Sequence, residues 1–440
     1  ANLVGLYDKP AVTAEIKGEG PLKEFAADIR LATDGTDRVT GRVSAHAQAG
    51  EDGTPGTGFR AELTGDVASL LPPDNRPFFG TSSRLLAEGW RGENGRMALP
   101  VLMVDTEALN LTGSVTTNDK GAPQSLVLLM TLGEDAGATT LPVRLPFGGE
   151  PTDVRSGSLQ ISYDATQSDA WRVVGRIGDI TQNGNRIGAL TLNGDGTVAL
   201  ENGDLQQVLG KLAFGVEGLA LADAGLQQAL GTSITGESGF DLTPGNALEL
   251  SDFTLSGQDF GIAGTILADG LRSGITVSGD LDAAYERLEH LSTLAGRPLT
   301  GQANANIRGL YTVLTHGFDA EAEITGTDIT VNQPQLDRLM AGEASIFASA
   351  RRDEQGIEIR DLRVDGQRLT AAAQGLITSS STDLKADLRL SSLTAADPAM
   401  AGALTAQAAV TGAPGARRVT VSGEATDLEL GINELDAALK

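Results

Sequence analysis

The chain has 440 residues, with 33 lysines and arginines against 58 aspartates and glutamates, a formal net charge of −25. Such an acidic balance argues against binding nucleic-acid phosphates and against electrostatic docking on anionic lipid headgroups, both of which need basic surface. There is no cysteine, which excludes disulfides and thiolate metal sites.

Apolar residues make up 40% of the chain and aromatics only 4%, with 56 glycines. That is the profile of many turns and glycine-marked strand ends. The acidic residues would keep an apolar-lined sheet soluble. No apolar run approaches the ~18 residues of a membrane span, and no signal peptide is visible. The chain opens with Ala1-Asn2-Leu3 and stops at Leu439-Lys440 in mid-pattern. It is expected to be a segment of a longer protein, whose anchor would lie outside it.

In chain order, Asp34-Gly35-Thr36-Asp37 reads as a hairpin turn. Glu51–Gly58 reads as a glycine-rich loop before a strand at Phe59, Ala61 and Leu63. Val67–Leu71 reads as a short helix. Leu159, Ile161 and Tyr163 pair with Trp171, Val173 and Ile177 in a hairpin across residues 165–169. Asn193-Gly194-Asp195-Gly196-Thr197 reads as another turn. Both glycine-rich segments faintly resemble calcium-binding repeats but lack their iteration. Leu205–Leu212 and Leu226–Leu230 read as short helices, and Ile275 and Val277 as strand. Leu281, Ala284, Tyr285, Leu288, Leu291 and Leu294 recur at helical spacing, with a stop at Arg297-Pro298. Ala303, Ala305 and Ile307, then Phe318, Ala320, Ala322 and Ile324, alternate with polar residues as a hairpin around Thr315-His316-Gly317. Leu336–Met340 and Leu393–Pro398 read as short helices, Leu384–Leu390 and Val419–Val421 as strands. The expected class is all-β, an elongated, lengthwise-curved antiparallel sheet with a few short capping helices. Strands every 10–12 residues, ~4.8 Å apart, predict a length on the order of 150–200 Å. The expected sections are 1–66, 67–203, 204–280, 281–392 and 393–440, parts of one sheet rather than independent domains, since repeat arrays grow without closing one core.

A pattern recurs three times. Leu248-Glu-Leu-Ser-Asp-Phe-Thr-Leu aligns with Ile357-Glu-Ile-Arg-Asp-Leu-Arg-Val at an offset of 109 (357 minus 248). Met97 to Gly113 matches at an offset of 151 (248 minus 97). The candidate lining of one continuous apolar face follows. It comprises Leu99, Leu102, Val104, Leu109 and Leu111; Leu248, Leu250, Phe253, Leu255, Phe260 and Ile262; and Ile357, Ile359, Leu362, Val364 and Leu369. Few aromatics are present to fill a thick core, and helices are too few to cover so much sheet. An aliphatic groove suits acyl chains, each buried methylene contributing about 0.8 kcal/mol without directional bonds.

Catalytic patterns are missing. His46, His290 and His316 lie far apart in sequence and read as surface residues. There is no His-Glu-x-x-His, Gly-x-Ser-x-Gly or Walker loop. The many carboxylates alternate outward, and no converging pair stands out. Asn110-Leu111-Thr112 matches a glycosylation acceptor inside a strand. No cofactor and no metal is expected.

The repeat at Leu248–Gly264 resembles that of the TamB family within the AsmA-like group. So do Gly20-Pro21-Leu22-Lys23-Glu24-Phe25, Leu70-Leu71-Pro72-Pro73 with Phe78-Phe79-Gly80, Arg297-Pro298-Leu299-Thr300-Gly301, and Leu336-Asp337-Arg338-Leu339-Met340-Ala341-Gly342-Glu343. Their order and number across residues 20–373 carry the resemblance. It implies a periplasmic β-trough, anchored in the inner membrane by a helix outside this segment and reaching toward the outer membrane. It implies phospholipid acyl chains as cargo, and an outer-membrane barrel partner of the TamA type contacted through regions outside this segment. The leading expectation is a non-enzymatic lipid conduit. The rivals are a scaffold assisting outer-membrane protein assembly through sheet edges, a surface β-solenoid adhesin, and an enzyme acting on glycans.

Overall fold

A computed structural model describes residues 11–21, 24–146, 150–245, 247–270 and 274–430. Leu22, Lys23, Ala1–Leu3 and Leu439–Lys440, named above, lie outside them. The fold is all-β, with twenty-six antiparallel strands and a few helices of one or two turns among the described residues. It divides into two compact units, residues 1–222 with 240–244, and residues 223–239 with 245–440.

The first unit contains β1 (Val12–Glu19), β2 (Glu24–Thr33), β3 (Thr36–Ala49), β4 (Pro55–Gly65), β5 (Ser83–Gly92), β6 (Met97–Asp105), β7 (Leu109–Thr117) and β8 (Pro123–Gly133). It continues with β9 (Val143–Arg144), β10 (Thr152–Val154), β11 (Ser156–Asp164), β12 (Ala170–Gln182), β13 (Asn185–Glu201) and β14 (Asp204–Glu217). Strands β1 to β8 pair consecutively; β8 then pairs with β11, and β11 to β14 pair consecutively. Two-residue turns drive this meander. Asp34-Gly35, Asn183-Gly184 and Asn202-Gly203 all have positive φ at both positions, the conformation that matches the twist of flanking strands.

The division between the units falls within β15 (Ser233–Leu242). The second unit runs through β16 (Leu248–Ser256), β17 (Phe260–Asp269), β18 (Thr276–Tyr285), β19 (Thr300–Thr312), β20 (Gly317–Thr330) and β21 (Glu343–Arg352). It ends with β22 (Gly356–Asp365), β23 (Leu369–Thr378), β24 (Thr382–Leu390), β25 (Ala401–Gly412) and β26 (Arg418–Glu429). Each pairs with the next. Among the described residues, neither series closes by pairing its last strand with its first.

The helices are α1 (Arg76–Phe79), α2 (Ala224–Leu230), α3 (Ser292–Ala295), α4 (Pro334–Leu339) and α5 (Leu393–Ala396). They sit in connections at strand ends and make the small true cores. Phe78, Ala108, Leu132, Val143 and Val154 form one such cluster. Leu339, Leu369, Leu390 and Leu393 form the other.

Leu205–Leu212 is not a helix but part of β14, and Leu209 points outward, 40% exposed. Leu281–Tyr285 is strand β18; helical turns begin only at Leu288. Leu281 and Tyr285 fit a period of two as well as a helical stripe, and pairing of Leu281, Ala283 and Tyr285 with Ile307, Ala305 and Ala303 decides the outcome. Residues 193–197 are mid-strand in β13 rather than a turn. The glycine-rich loop ends sooner than expected, because β4 starts at Pro55.

Candidate functional site

The threefold pattern folds the same way in each copy. Its apolar positions step by two, then by three, then by two: Leu248, Leu250, Phe253, Leu255. A step of three would send Phe253 to the opposite face of a regular strand. The register instead shifts between Leu250 and Phe253, between Ile359 and Leu362, and between Leu99 and Leu102. A β-bulge at this point restores the phase. All the named apolar residues of each copy therefore share one face.

Cross-strand register joins these residues into lanes perpendicular to the strands. In the second unit one lane runs Leu255, Ile262, Ala283, Ala305, Ile324, Ile346, Val364, Ala371, Leu388, Ala406, Gly423. Beside it runs Phe253, Gly264, Leu281, Ile307, Ala322, Ala348, Leu362, Ala373, Ala386, Ala408, Val421. Leu250 and Ile359 belong to a third lane with Ile266 and Leu384. Leu248 and Ile357 lie beyond it, and Phe260 and Leu369 toward the helical rim.

The first unit has the same construction. One lane is Ile16, Ile29, Gly41, Leu63, Leu85, Val104, Leu111, Met130, Leu159, Gly175, Leu192, Phe214. Its neighbour carries Leu102, Gly113, Leu128, Ile161, Val173, Gly194 and Leu212. Leu99 pairs with Val115, and Leu109 with Leu132. No charged residue interrupts any of the four lanes written out.

Glycines in these lanes level the floor. A Cβ at Gly194 would stand 2.5 Å from Leu212 Cδ2 and 2.8 Å from Val173 Cγ1. One at Gly41 would stand 2.7 Å from Leu63 Cδ2. Leu212 and Val173 lean over Gly194, and Leu63 over Gly41, from the neighbouring strands.

The lanes are covered only in part. Of the candidate lining residues, Leu369 alone is buried; Ile357 is exposed and the others are intermediate. Ile307, in mid-lane, is 41% exposed. Only Val143 and Val154 are large side chains below 2% exposure among the described residues. The accessible surface is 25323 Å²; two separate compact bodies of half this mass would expose roughly 19,000 Å² together. The apolar faces thus lack the cover that a sandwich core would give them.

The reverse faces hold the charges. Arg308 pairs with Asp280 at 2.9 Å, Arg360 with Asp319 at 2.5 Å, and Arg60 with Glu88 at 2.7 Å. Hydrogen bonds from Arg60 and Arg84 hold the Glu62 carboxyl below the usual carboxylate range. His46 is exposed, and His316 accepts or donates at 2.7 Å to Tyr311 in its turn. A cleft of about 930 Å³ is lined by Trp90, His46, Arg60, Glu88, Arg96 and Asp52 among others. Arg60 and Arg96 there are paired with neighbouring carboxylates, and the Trp90 indole donates to the Gln48 carbonyl at 3.0 Å.

Helices wall one end of the strands in the second unit. Helix α2 is capped by Asp223, which accepts from the Leu226 amide at 2.7 Å, and is tied down by the Tyr285 hydroxyl on the Ala229 carbonyl at 2.8 Å. The turns before α3 are fastened by Asp259, 3% exposed, which binds both Arg287 and His290 Nδ1. His290 is therefore an anchoring residue, not the plain surface histidine its position suggests. Burial alone would raise the Asp259 carboxyl, but the bonds to Arg287 and His290 outweigh it and hold the group low. Nothing in the local sequence marks Asp259, since its partners lie 28 and 31 residues away.

Helix α4 overhangs the lanes. Beneath it is a cavity of about 340 Å³, floored by Ile324, Ile346, Val364, Ala371 and Leu388 and roofed by Val331, Leu336 and Met340. Asp337 also borders it, but its carboxylate is occupied by the Val331 amide at 2.8 Å and the Gln333 amide at 3.0 Å. The cavity offers a ligand aliphatic contact and nothing else.

Among the described residues no group of His, Asp and Glu is placed to hold a metal ion, and no helix is long and apolar enough to cross a membrane. Comparison of the chain with protein-family models, curated proteins and solved structures found no match.

Proposed function

We propose that this chain is a non-enzymatic conduit for phospholipid acyl chains. Its working surface is the set of uninterrupted apolar lanes in each unit. That continuity is the observation supporting the reading. A hydrocarbon tail lying on a lane meets side chains of one chemical kind from strand to strand. Moving it by one strand exchanges like contacts for like, so no step requires a large barrier or a catalytic group. The half-covered state of the lanes also supports this reading. A buried core would have to be opened first, whereas these residues await a cover that each methylene supplies at about 0.8 kcal/mol.

The resemblance to the TamB family extends the proposal to a place and a purpose. The conduit would lie in the periplasm and carry lipid between inner and outer membrane, supporting outer-membrane biogenesis. A barrel partner of the TamA type would be engaged through other regions. The test is mass spectrometry of lipid co-purified with the chain, with photocrosslinkers at Ile262 and Leu362 on the lanes and at Glu323 on the reverse face. Lipid adducts at the two lane positions and none at Glu323 are expected. Absence of lipid, or equal labelling of both faces, would reject the conduit.

A further inference from the structure

We propose that residues 331–340 are a lid, fastened at its carboxyl end, that gates the lane between β20 and β24. The proposal rests on the conduit reading above and adds its regulation. The segment is internally rigid. Asp337 accepts from the Val331 and Gln333 amides, its own amide donates to the Gln333 carbonyl at 2.8 Å, and Met340 N–H donates to the Leu336 carbonyl at 2.9 Å. These bonds stay within the segment and would move with it.

Its two ends are held differently. At the carboxyl end, Leu339 is 7% exposed in the cluster with Leu369, Leu390 and Leu393. The Arg338 guanidinium donates to the carbonyls of Ala395 and Ala396 on α5. At the amino end, Pro334–Leu336 makes no hydrogen bond to the floor strands among the described residues, and Leu336 is 36% exposed over the cavity. The backbone turns at Asn332, with φ 57°, and at Gly342, with φ 87°. A pair of bonds between Asp328 and Gly342, at 2.9 and 3.2 Å, forms the base.

The lid closes over the lane itself. Ile324, Ile346, Val364 and Leu388 are consecutive or near-consecutive lane positions, and Leu336 and Met340 cover them. A hydrocarbon chain passing this point must enter the 340 Å³ space or lift the lid. The occupant is the tail of a lipid and not its headgroup, since the one polar side chain in the lining, Asp337, is already bonded. Arg338 is the latch, because it alone ties the helical roof to α5 by hydrogen bonds among the described residues.

The absence of cysteine permits a clean test. Gln335→Cys on the lid and Glu323→Cys on the reverse face of β20 would carry nitroxide labels in the full chain. Pulsed electron-spin resonance then reads their separation with and without palmitate, while a fluorescent competitor reports palmitate capture. Capture with a lengthened or broadened distance distribution is expected. Capture with an unchanged distribution would overturn the lid and leave the conduit reading intact. No capture at all would overturn both. Arg338→Gln should speed palmitate exchange several-fold with the circular dichroism spectrum retained; an unchanged exchange rate would remove Arg338 as the latch.

Discussion

Gly194 and Leu212 face each other across β13 and β14, and a Cβ on Gly194 would lie 2.5 Å from Leu212 Cδ2. The glycine is needed for the space above it, not for its backbone angle. Gly194→Val should therefore destabilise the fold by about 1–3 kcal/mol, the usual range for overpacking. Gly261 is the control, because nothing lies within 4 Å of a Cβ placed there; Gly261→Ala should stay within about 0.5 kcal/mol. Urea midpoints of the two variants measure the difference. Equal shifts would mean that the lane glycines do not accommodate their neighbours.

Much of this fold was legible because period two is a strong signal over long strands. Phe318 to Ile324 and Leu159 to Ile177 alternate cleanly and became β20 and the β11–β12 hairpin. The repeat placed its apolar residues on one face because each copy carries its bulge at the same point. Leu281–Tyr285 reads as helix because Leu281 and Tyr285 fit both periods, and only the partner strand decides between them. Residues 193–197 were misread for the opposite reason. Glycine and asparagine signal turns locally, but here Gly194 yields room to Leu212 and Val173 on the flanking strands and Gly196 to the backbone of Leu209. The Asp259 anchor and the cavity under α4 were invisible in sequence, since both depend on contacts between distant segments.

A charge on a lane should harm lipid capture more than folding. Leu255 is half-covered at the start of its lane. A carboxylate in Leu255→Asp can turn to water, so its cost should fall well below that of burial. Val154 is 2% exposed inside the cluster with Phe78 and Val143. Val154→Asp should unfold the first unit, and even Val154→Ala should cost about 2 kcal/mol. Circular dichroism with lipid crosslinking separates the outcomes. Global unfolding of Leu255→Asp would point to a closed core, and undiminished lipid capture would remove Leu255 from the path.

The Asp259 anchor predicts an acid-sensitive rim. Its carboxyl is lowered in the folded chain, the bonds to Arg287 and His290 outweighing burial. A lowered folded-state pKa contributes stability that is fully present above the ordinary carboxylate range, about 3.9 for Asp. That contribution is lost as pH falls through the folded-state value. Asp259→Asn should be less stable than the parent at pH 7 by about 1–3 kcal/mol, the cost of leaving buried partners unmatched. The gap in urea midpoints should narrow steadily below pH 4. A gap that stays constant to pH 2 would show that the charge of Asp259 does not hold the rim.

The reverse faces should carry no essential chemistry. Glu321 and Glu323 sit opposite Arg308 and Asn306 on the polar side of β19 and β20, and His46 is exposed on β3. Substitutions at such positions change stability by less than about 0.5 kcal/mol as a rule. Surface ion pairs contribute little because water and salt already screen them. Glu321→Gln with Glu323→Gln, and separately His46→Asn, should leave the urea midpoint and lipid capture unchanged. An enzyme acting on glycans would behave otherwise: some polar positions would abolish turnover while structure persisted. An alanine scan across Asp, Glu and His distinguishes the two, with lipid capture and glycan hydrolysis as its readouts. Sensitive polar positions gathered at one point, such as the cleft beside Trp90, would favour the enzyme. Sensitivity confined to aliphatic lane positions such as Ile262, Ile324 and Val364 would favour the conduit, because only a path built from apolar contact depends on those residues and no others.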